Sequence, residues 1–369
     1  MPKPSSTHIV DRFIEQKLRL VSPGGALPSV RRVMDACRVG PQTVTEAVRL
    51  FEKRRLIDVR PQRGLFRSAE AHQVPGIETV DILYLNAEPH IRAMVQGVAE
   101  VDGSFHGQLI ASLLDVAEHR GLTLRMHAYP EGGSDADLID RVAADASSRA
   151  CMTVGLTENS LLRSLNAAHL SVVNVFPASF QLPANSITTD ADEVIGKQFD
   201  ALYRRGHRRI GYLHNVEDHH PHREILLRRE AFYRKAVAAG VTLLPGYVAF
   251  AGFAADSQRR AADAVLSLPQ PPTGLICADQ HLPAVYEVTS NKGLMVGRTL
   301  SVVGTDDKPV AREVDPPATS LQVPREAVVQ EAFDLLNEIS HGKKLPPADC
   351  IRASVKIIRR QSVGSAPKA

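Results

Sequence analysis

Apolar residues return at Ile9, Val10, Phe13, Ile14 and Leu18, three or four positions apart, which predicts an amphipathic helix over about 7–20. Ser22-Pro23-Gly24-Gly25 ends it. Pro28 and Ser29 open a second short helix, with Ser29 as N-cap, that buries Val33 and Met34 and stops near Arg38. After the turn Gly40-Pro41 a third helix runs to about Arg55. It turns Val44, Ala47, Val48 and Phe51 inward and Gln42, Thr45, Arg49 and Lys53 outward. Leu56–Val59 and Leu65–Arg67 read as two strands around Pro61-Gln62-Arg63-Gly64. From Val80 the pattern changes. Strands at 80–85, 122–128, 150–154, 171–176, 209–213, 246–250, 273–277 and 300–304 alternate with helices at about 105–120, 135–146, 158–168, 191–205, 225–239, 255–267 and 281–291. That alternation predicts parallel, doubly wound α/β sheets, and the strands are too many for one compact sheet, so two lobes are expected.

Charge separates the same two regions. Residues 1–67 hold 14 Lys and Arg against 6 Asp and Glu, and the remainder holds 30 against 35. A basic segment on a mildly acidic body suggests a polyanion-binding head. Helix, turn, helix and hairpin in that order describe a winged helix-turn-helix, whose last helix enters the major groove. Gln42 can make a bidentate contact to adenine, and Thr45 can meet a base edge or a thymine methyl. Arg63 and Gly64 sit at the tip of the wing, within reach of a minor groove or a phosphate.

The run Leu27-Pro28-Ser29-Val30-Arg31-Arg32, then Gln42-Thr43-Val44-Thr45-Glu46-Ala47, Leu56-Ile57 and Arg63-Gly64-Leu65-Phe66 closely resembles the GntR-type winged helix over residues 8–67. The resemblance implies that Arg31, Thr43 and Arg63 contact phosphates and base edges, with Arg49 beside them. Arg31 and Arg49 also admit the plain reading of solvated helix residues. The family's recognition helix usually begins Ser-Arg, where this chain has Gly40-Pro41, so Gln42 is expected to carry more of the sequence reading. Gln62 stands where the family's wing has glycine.

Residues 68–78 read as an interdomain linker. Beyond them, Arg205-Gly206-His207-Arg208-Arg209-Ile210-Gly211, Arg228-Arg229-Glu230-Ala231-Phe232, Gly274 to Asp279, Leu300 to Asp307 and Thr319-Ser320-Leu321 resemble the LacI/GalR-type effector domain. That domain is itself similar to periplasmic sugar-binding proteins. The resemblance covers about 79–362. It implies lobe 1 over about 79–185 and 322–340, lobe 2 over about 186–321 and 345–362, and a disordered tail at 363–369. It also implies effector contacts. Arg228 offers a guanidinium fork to two hydroxyls or a carboxylate. Asp306 accepts from adjacent hydroxyls. Phe253 stacks on the ligand ring, Phe105 stands at the cleft mouth, and Asp279 marks a strand end. Surface helix, turn cap and plain core remain the ordinary readings of Arg228, Asp306 and the two phenylalanines. The 19 residues 86–104 form a connection longer than usual, and Ala278 stands where some relatives carry Asn.

No GxSxG, GxxxxGK[ST], HExxH or GxGxxG motif is present, so no catalytic residues and no cofactor are expected. The run His214 to His222 has ligand-type side chains but no helical i, i+4 pair, and no metal is expected there. Cys37, Cys151, Cys277 and Cys350 are isolated and read as reduced core residues. There is no apolar run of 18 residues and no apolar core in the first 20, so a cytoplasmic protein without a membrane span is expected. Together these readings describe a DNA-binding regulator, a repressor by expectation. Its partners would be palindromic double-stranded operator DNA, a sugar effector bound between the two lobes that controls operator affinity, and a second copy of the chain. A cytoplasmic sugar-binding receptor with no role on DNA is the alternative.

Overall fold

The computed structural model describes residues 6–69, 77–85, 89–128, 137–138, 141–142, 145, 149–155, 159–179, 181–215, 223–241, 243–252, 254–341 and 350–367. The chain divides into two units. One holds Met1–Val101, Leu109–Ile187 and Glu326–Ile351, the other Asp102–Gln108, Thr188–Arg325 and Arg352–Ala369.

The first unit begins with helices α1 (Ser6–Leu20), α2 (Val30–Cys37) and α3 (Pro41–Lys53) and the antiparallel hairpin β1 (Ile57–Arg60) and β2 (Gly64–Arg67). The Ser29 hydroxyl accepts the Arg32 N–H at 3.4 Å and caps α2. Pro41 at the first position of α3 gives up an N–H that would have had no helical partner. Val10, Phe13, Ile14, Leu18, Val44, Phe51 and Leu65 are buried against one another, as the 3.6-residue period requires. Arg67 ties the wing to the end of α1 by donating to the carbonyls of Leu18 (3.0 Å) and Val21 (2.7 Å). At the hairpin tip Gln62 and Gly64 both have positive φ, +62° and +101°. Only Gly64 adopts this without strain.

The head does not end cleanly at residue 67. Ser68 is buried, and its N–H donates to Leu56 O at 3.0 Å. Helix α1 is also seated on the body of its own unit. Arg12, 1% exposed, donates to Asp145 O (2.7 Å) and to Ala168 O (3.4 Å). Glu15 pairs with Arg149, and Phe13 meets the His169 ring edge-on at 5.0 Å. A buried guanidinium is tolerated only with such partners.

The sheet of this unit has the order β13-β7-β6-β5-β3-β4, with β3 (Thr79–Tyr84), β4 (Thr123–Ala128), β5 (Ala150–Val154), β6 (Ser171–Val175), β7 (Ser186–Thr189) and β13 (Ile351–Ala353). The pairings from β4 through β3, β5 and β6 to β7 are parallel. The second unit's sheet runs β14-β12-β11-β10-β8-β9, with β8 (Ile210–Asn215), β9 (Val248–Ala251), β10 (Gly274–Ile276), β11 (Ser301–Thr305), β12 (Thr319–Gln322) and β14 (Lys356–Ile358). Only β14, at the edge, is antiparallel to its neighbour.

Several expectations need correction. Residues 363–367 are not a loose tail. Gly364 N–H donates to Ser301 Oγ (3.0 Å), Gly364 O faces His207 Nε2 (3.3 Å), and Ala366 N–H donates to Arg205 O (2.8 Å). Backbone groups with partners are held in place whatever their sequence complexity. Ile351–Ala353, expected in lobe 2, joins the sheet of the first unit as β13. The long connection after β3 contains a helix, Pro89–Val95, which buries Ile91, Met94 and Val95. Cys350 is half-buried rather than core, with Sγ 3.9 Å from Ile351 O, while Cys37, Cys151 and Cys277 are buried. The helix expected at 135–146 lies mostly outside the described residues.

Candidate functional site

Two surfaces carry the expected chemistry. On the head, Arg31, Gln42, Thr45, Arg49, Arg63 and Gly64 are exposed and Thr43 is half-buried. The first turns of α3 put Gln42 and Thr45 on the outward side because Val44, Ala47 and Val48 claim the core. Thr45 gives its hydroxyl proton to Pro41 O (2.8 Å), so what it offers outward is a methyl and lone pairs. Gln42 Nε2 lies 3.4 Å from Glu46 Oε1, a weak bond that a base edge can displace. Arg31, Arg49 and Arg63 have no ion-pair partner among the described residues. The exposed, unpaired cations and the weakly held amide suit phosphate and base contacts.

In the second unit the carboxyl ends of β8, β10 and β11 lie side by side. Doubly wound sheets bind ligands there. Asp306 follows β11 with φ +93°. Its carbonyl accepts from both terminal nitrogens of Arg325 (3.3 and 3.2 Å), and its carboxylate lies 3.8 Å from Arg325 Nη2 and 3.8 Å from Lys308 Nζ. Arg325 also donates to Gln108 Oε1 (2.9 Å) and stacks over Phe105 at 4.7 Å. The structure therefore brings Phe105 and Asp306 together through Arg325, which the sequence reading missed. The signal was available: Arg325 follows β12, at the same kind of strand end that singled out Asp306.

Of the two parts expected of Asp279, a structural aspartate at a strand end and an effector contact, its partners fit the first. It is fully buried. Oδ1 accepts from Ser320 Oγ (2.8 Å) and Oδ2 from Lys308 N–H (2.7 Å). Both oxygens are spent on protein groups, so Asp279 positions the loop carrying Asp306 and Lys308 rather than meeting a ligand. Burial, reinforced by the charge of Asp306, raises its pKa to about 7.

Arg228 lies half-buried on the helix Arg223–Ala238, with its Nε buried and without a partner. Nearby, Tyr212 stacks on His214 (5.8 Å between centroids), and His214 faces the exposed ring of Phe250 at 5.4 Å. Burial raises the Tyr212 hydroxyl to about 12, against the pull of Arg228 and Arg229. His281, fully buried just after β10, has no partner on either ring nitrogen. Burial, with Lys308 and His214, lowers its pKa to about 4, so it is neutral. Glu224 Oε2, Thr189 Oγ1 and Arg325 Nε are likewise buried without partners. Each such atom costs about 1–3 kcal/mol. Phe253 and residues 216–222 of the histidine-rich run lie outside the described residues.

Residues 8–66 match the family described as bacterial regulatory proteins, gntR family, and residues 199–363 match the periplasmic binding protein-like domain. The head matches the gntR family and the body the periplasmic binding protein-like domain. The chain is 27% identical over 208 residues to the HTH-type transcriptional repressor CytR of Escherichia coli strain K12, covering 54% of this chain and 58% of that repressor. The chain thus spans less than two-thirds of the curated relative it matches. Among solved structures, a transcriptional regulator CelR–cellobiose complex superposes with TM-score 0.62 at 19% identity, over 91% of this chain and 100% of that one. A lac repressor dimer bound to operator and the anti-inducer ONPF gives 0.63 at 18%, over 78% and 94%. At these identities the likeness is one of fold. No helix among the described residues is long and apolar enough to cross a membrane.

Proposed function

We propose that this protein is a transcriptional repressor whose affinity for operator DNA is set by a small polyhydroxylated effector, a sugar or a close relative, held at the strand ends of the second unit. The reading places a DNA-binding head at 1–67, a linker at 68–78 and the effector domain at 79–362, in a cytoplasmic, non-enzymatic homodimer on a palindromic operator. The observation that carries it is the mixture of buried, unpartnered donors and acceptors in the second unit: both ring nitrogens of His281, Arg228 Nε, Arg325 Nε, Glu224 Oε2 and Thr189 Oγ1. A ligand rich in hydroxyls, each both donor and acceptor, satisfies such a mixture better than an apolar or purely ionic one. The aromatic faces of Phe105 and Phe250 suit the C–H face of a sugar ring. On the head, Arg31, Gln42, Thr43, Thr45, Arg49, Arg63 and Gly64 make the DNA contacts.

The relatives support this reading by what their names record: CytR is a transcriptional repressor, CelR was solved with cellobiose, and the lac repressor was solved as a dimer on operator. The test is a thermal-shift screen of the full chain against pentoses, hexoses, uronates and nucleosides, with Arg228→Ala and Asp306→Ala alongside. A ligand that raises the melting temperature of the wild type alone supports the site. Equal shifts in all three proteins remove it. A receptor without a DNA role would show no salt-dependent affinity for duplex DNA.

A further inference from the structure

A second concavity lies in the second unit, away from the strand ends that carry Asp306 and His281. It has a volume of about 620 Å3 and is bounded by the end of the helix Ala191–Tyr203, by Arg204 and Arg205, and by the edge strand β14 with the residues that follow it. Its charges are lopsided. Lys197, Arg204, Arg205, Lys356, Arg359 and Arg360 line it, with Asp200 the one acidic side chain among the described residues.

Half of these cations are already engaged. Lys197 pairs with Glu193 at 2.7 Å, Arg360 with Asp307 at 2.5 Å, and Arg204 lies 3.5 Å from Asp200. Asp200 is further neutralised by Lys235 at 3.0 Å. Arg205, Lys356 and Arg359 are exposed and have no ion-pair partner among the described residues. Three uncommitted cations therefore face one concavity whose only carboxylate among the described residues is spent. Strand β14 pairs on one side alone, with β12, so its free edge adds backbone N–H donors. Ala201, Ile357 and Val363 supply an apolar floor.

We infer that this groove is a binding site for a small polyanion, a molecule carrying at least two phosphate or carboxylate groups, distinct from the effector site. The volume is that of a small-molecule site, roughly 300–1,000 Å3. Convergent guanidinium and ammonium groups are the recognition elements of phosphate and carboxylate. An apolar floor between them suits the body of a compact ligand rather than the outer face of a duplex. The inference does not depend on the identity of the effector.

The experiment is titration calorimetry of the full-length protein with inorganic pyrophosphate, at low and moderate salt. Arg359→Glu is compared with Arg260→Glu, an equal charge change on an exposed residue of the helix Ala255–Leu266. Pyrophosphate binds the wild type and Arg260→Glu alike, and Arg359→Glu weakens it about tenfold or more, the worth of one charge-assisted contact. No binding at millimolar pyrophosphate overturns the inference, as does equal weakening in both variants, which would be a general charge effect. If Arg359→Glu leaves pyrophosphate binding unchanged but weakens duplex DNA binding, the groove is part of a nucleic-acid surface and the inference fails.

Discussion

Asp279 offers a perturbation whose size follows from the structure. Its carboxyl titrates near 3.8 when solvated and at about 7 in the fold, because burial and the neighbouring Asp306 disfavour the charged form more than Ser320 and the Lys308 N–H favour it. Between those values the folded chain holds a proton that the unfolded chain has lost. Stability from this group is therefore complete below about pH 4 and falls as pH rises. It levels off above about pH 7, where both states are ionised. A shift of about three pH units corresponds to about 4 kcal/mol. Other carboxylates move the total in the opposite sense, so the difference between Asp279→Asn and wild type is the quantity to read. Asparagine keeps the shape and one acceptor but has no proton to lose. Urea unfolding followed by far-ultraviolet circular dichroism, from pH 4 to 8, should show the variant gaining about 4 kcal/mol on the wild type across the window. Asp306→Asn should narrow the window by removing the repelling charge. Parallel wild-type and Asp279→Asn profiles would refute the reasoning. They would mean that the two hydrogen bonds fully offset the burial.

Other outcomes follow from the same contacts. Gly304→Ala would place a Cβ 1.9 Å from Asp279 Oδ1 and 3.1 Å from Ser320 Oγ, and neither group is free to yield. It should cost about 3 kcal/mol in denaturant unfolding. Gly196→Ala, whose Cβ meets nothing within 4 Å, should stabilise its helix by about 0.5–1 kcal/mol. Arg12→Met should cost about 2–3 kcal/mol by stripping the Asp145 and Ala168 carbonyls of a charged donor. Limited proteolysis should then cut the 68–78 segment faster than in wild type. On DNA selected from a random pool, Arg63→Ala should weaken binding across sequences and lower the salt slope by about 1, whereas Gln42→Ala should relax one base position by about 1–3 kcal/mol. Equal losses at every position for Gln42→Ala would move that residue to the backbone-contact class.

The fold was readable where one period dominates. The head's three helices and hairpin fall within a few residues of their expected places because each buries one unmistakable face. The alternation of strand and helix in the body was equally plain. What escaped were short elements set by long-range partners. Strand β7 is four residues, β13 and β14 three each, as short as β9 and β10, but they fall outside the strand–helix alternation that revealed those two. Their strand character comes from the sheet edges they join. The same cause misplaced the ordered tail: Gly364 and Ala366 are held by Ser301, His207 and Arg205, at least 63 positions away in sequence.

The site was legible as a list of residue types and much less so as a set of roles. An acid at a strand end and an arginine on a helix can be named from motifs, and Asp306 and Arg228 both lie in the second unit, with His281. Asp279 shows the limit. Sequence gives it the same rank as Asp306, yet Ser320 and Lys308 claim its two oxygens, and Ser320 lies 41 positions away. His281 shows the converse. Nothing around it in Ala278-Asp279-Gln280-His281-Leu282 distinguishes a core histidine from a ligand-facing one. The distinction lies in the absence, among the described residues, of any partner for either nitrogen. A neutral imidazole has one donor and one acceptor, and leaving both unmet in a buried position carries a cost that an alanine there would not. His281→Ala should therefore be stable or even stabilising in the free protein while weakening effector binding about tenfold. If it instead destabilises the free protein by several kcal/mol, as a packed core residue would, His281 belongs to the scaffold and not to the site.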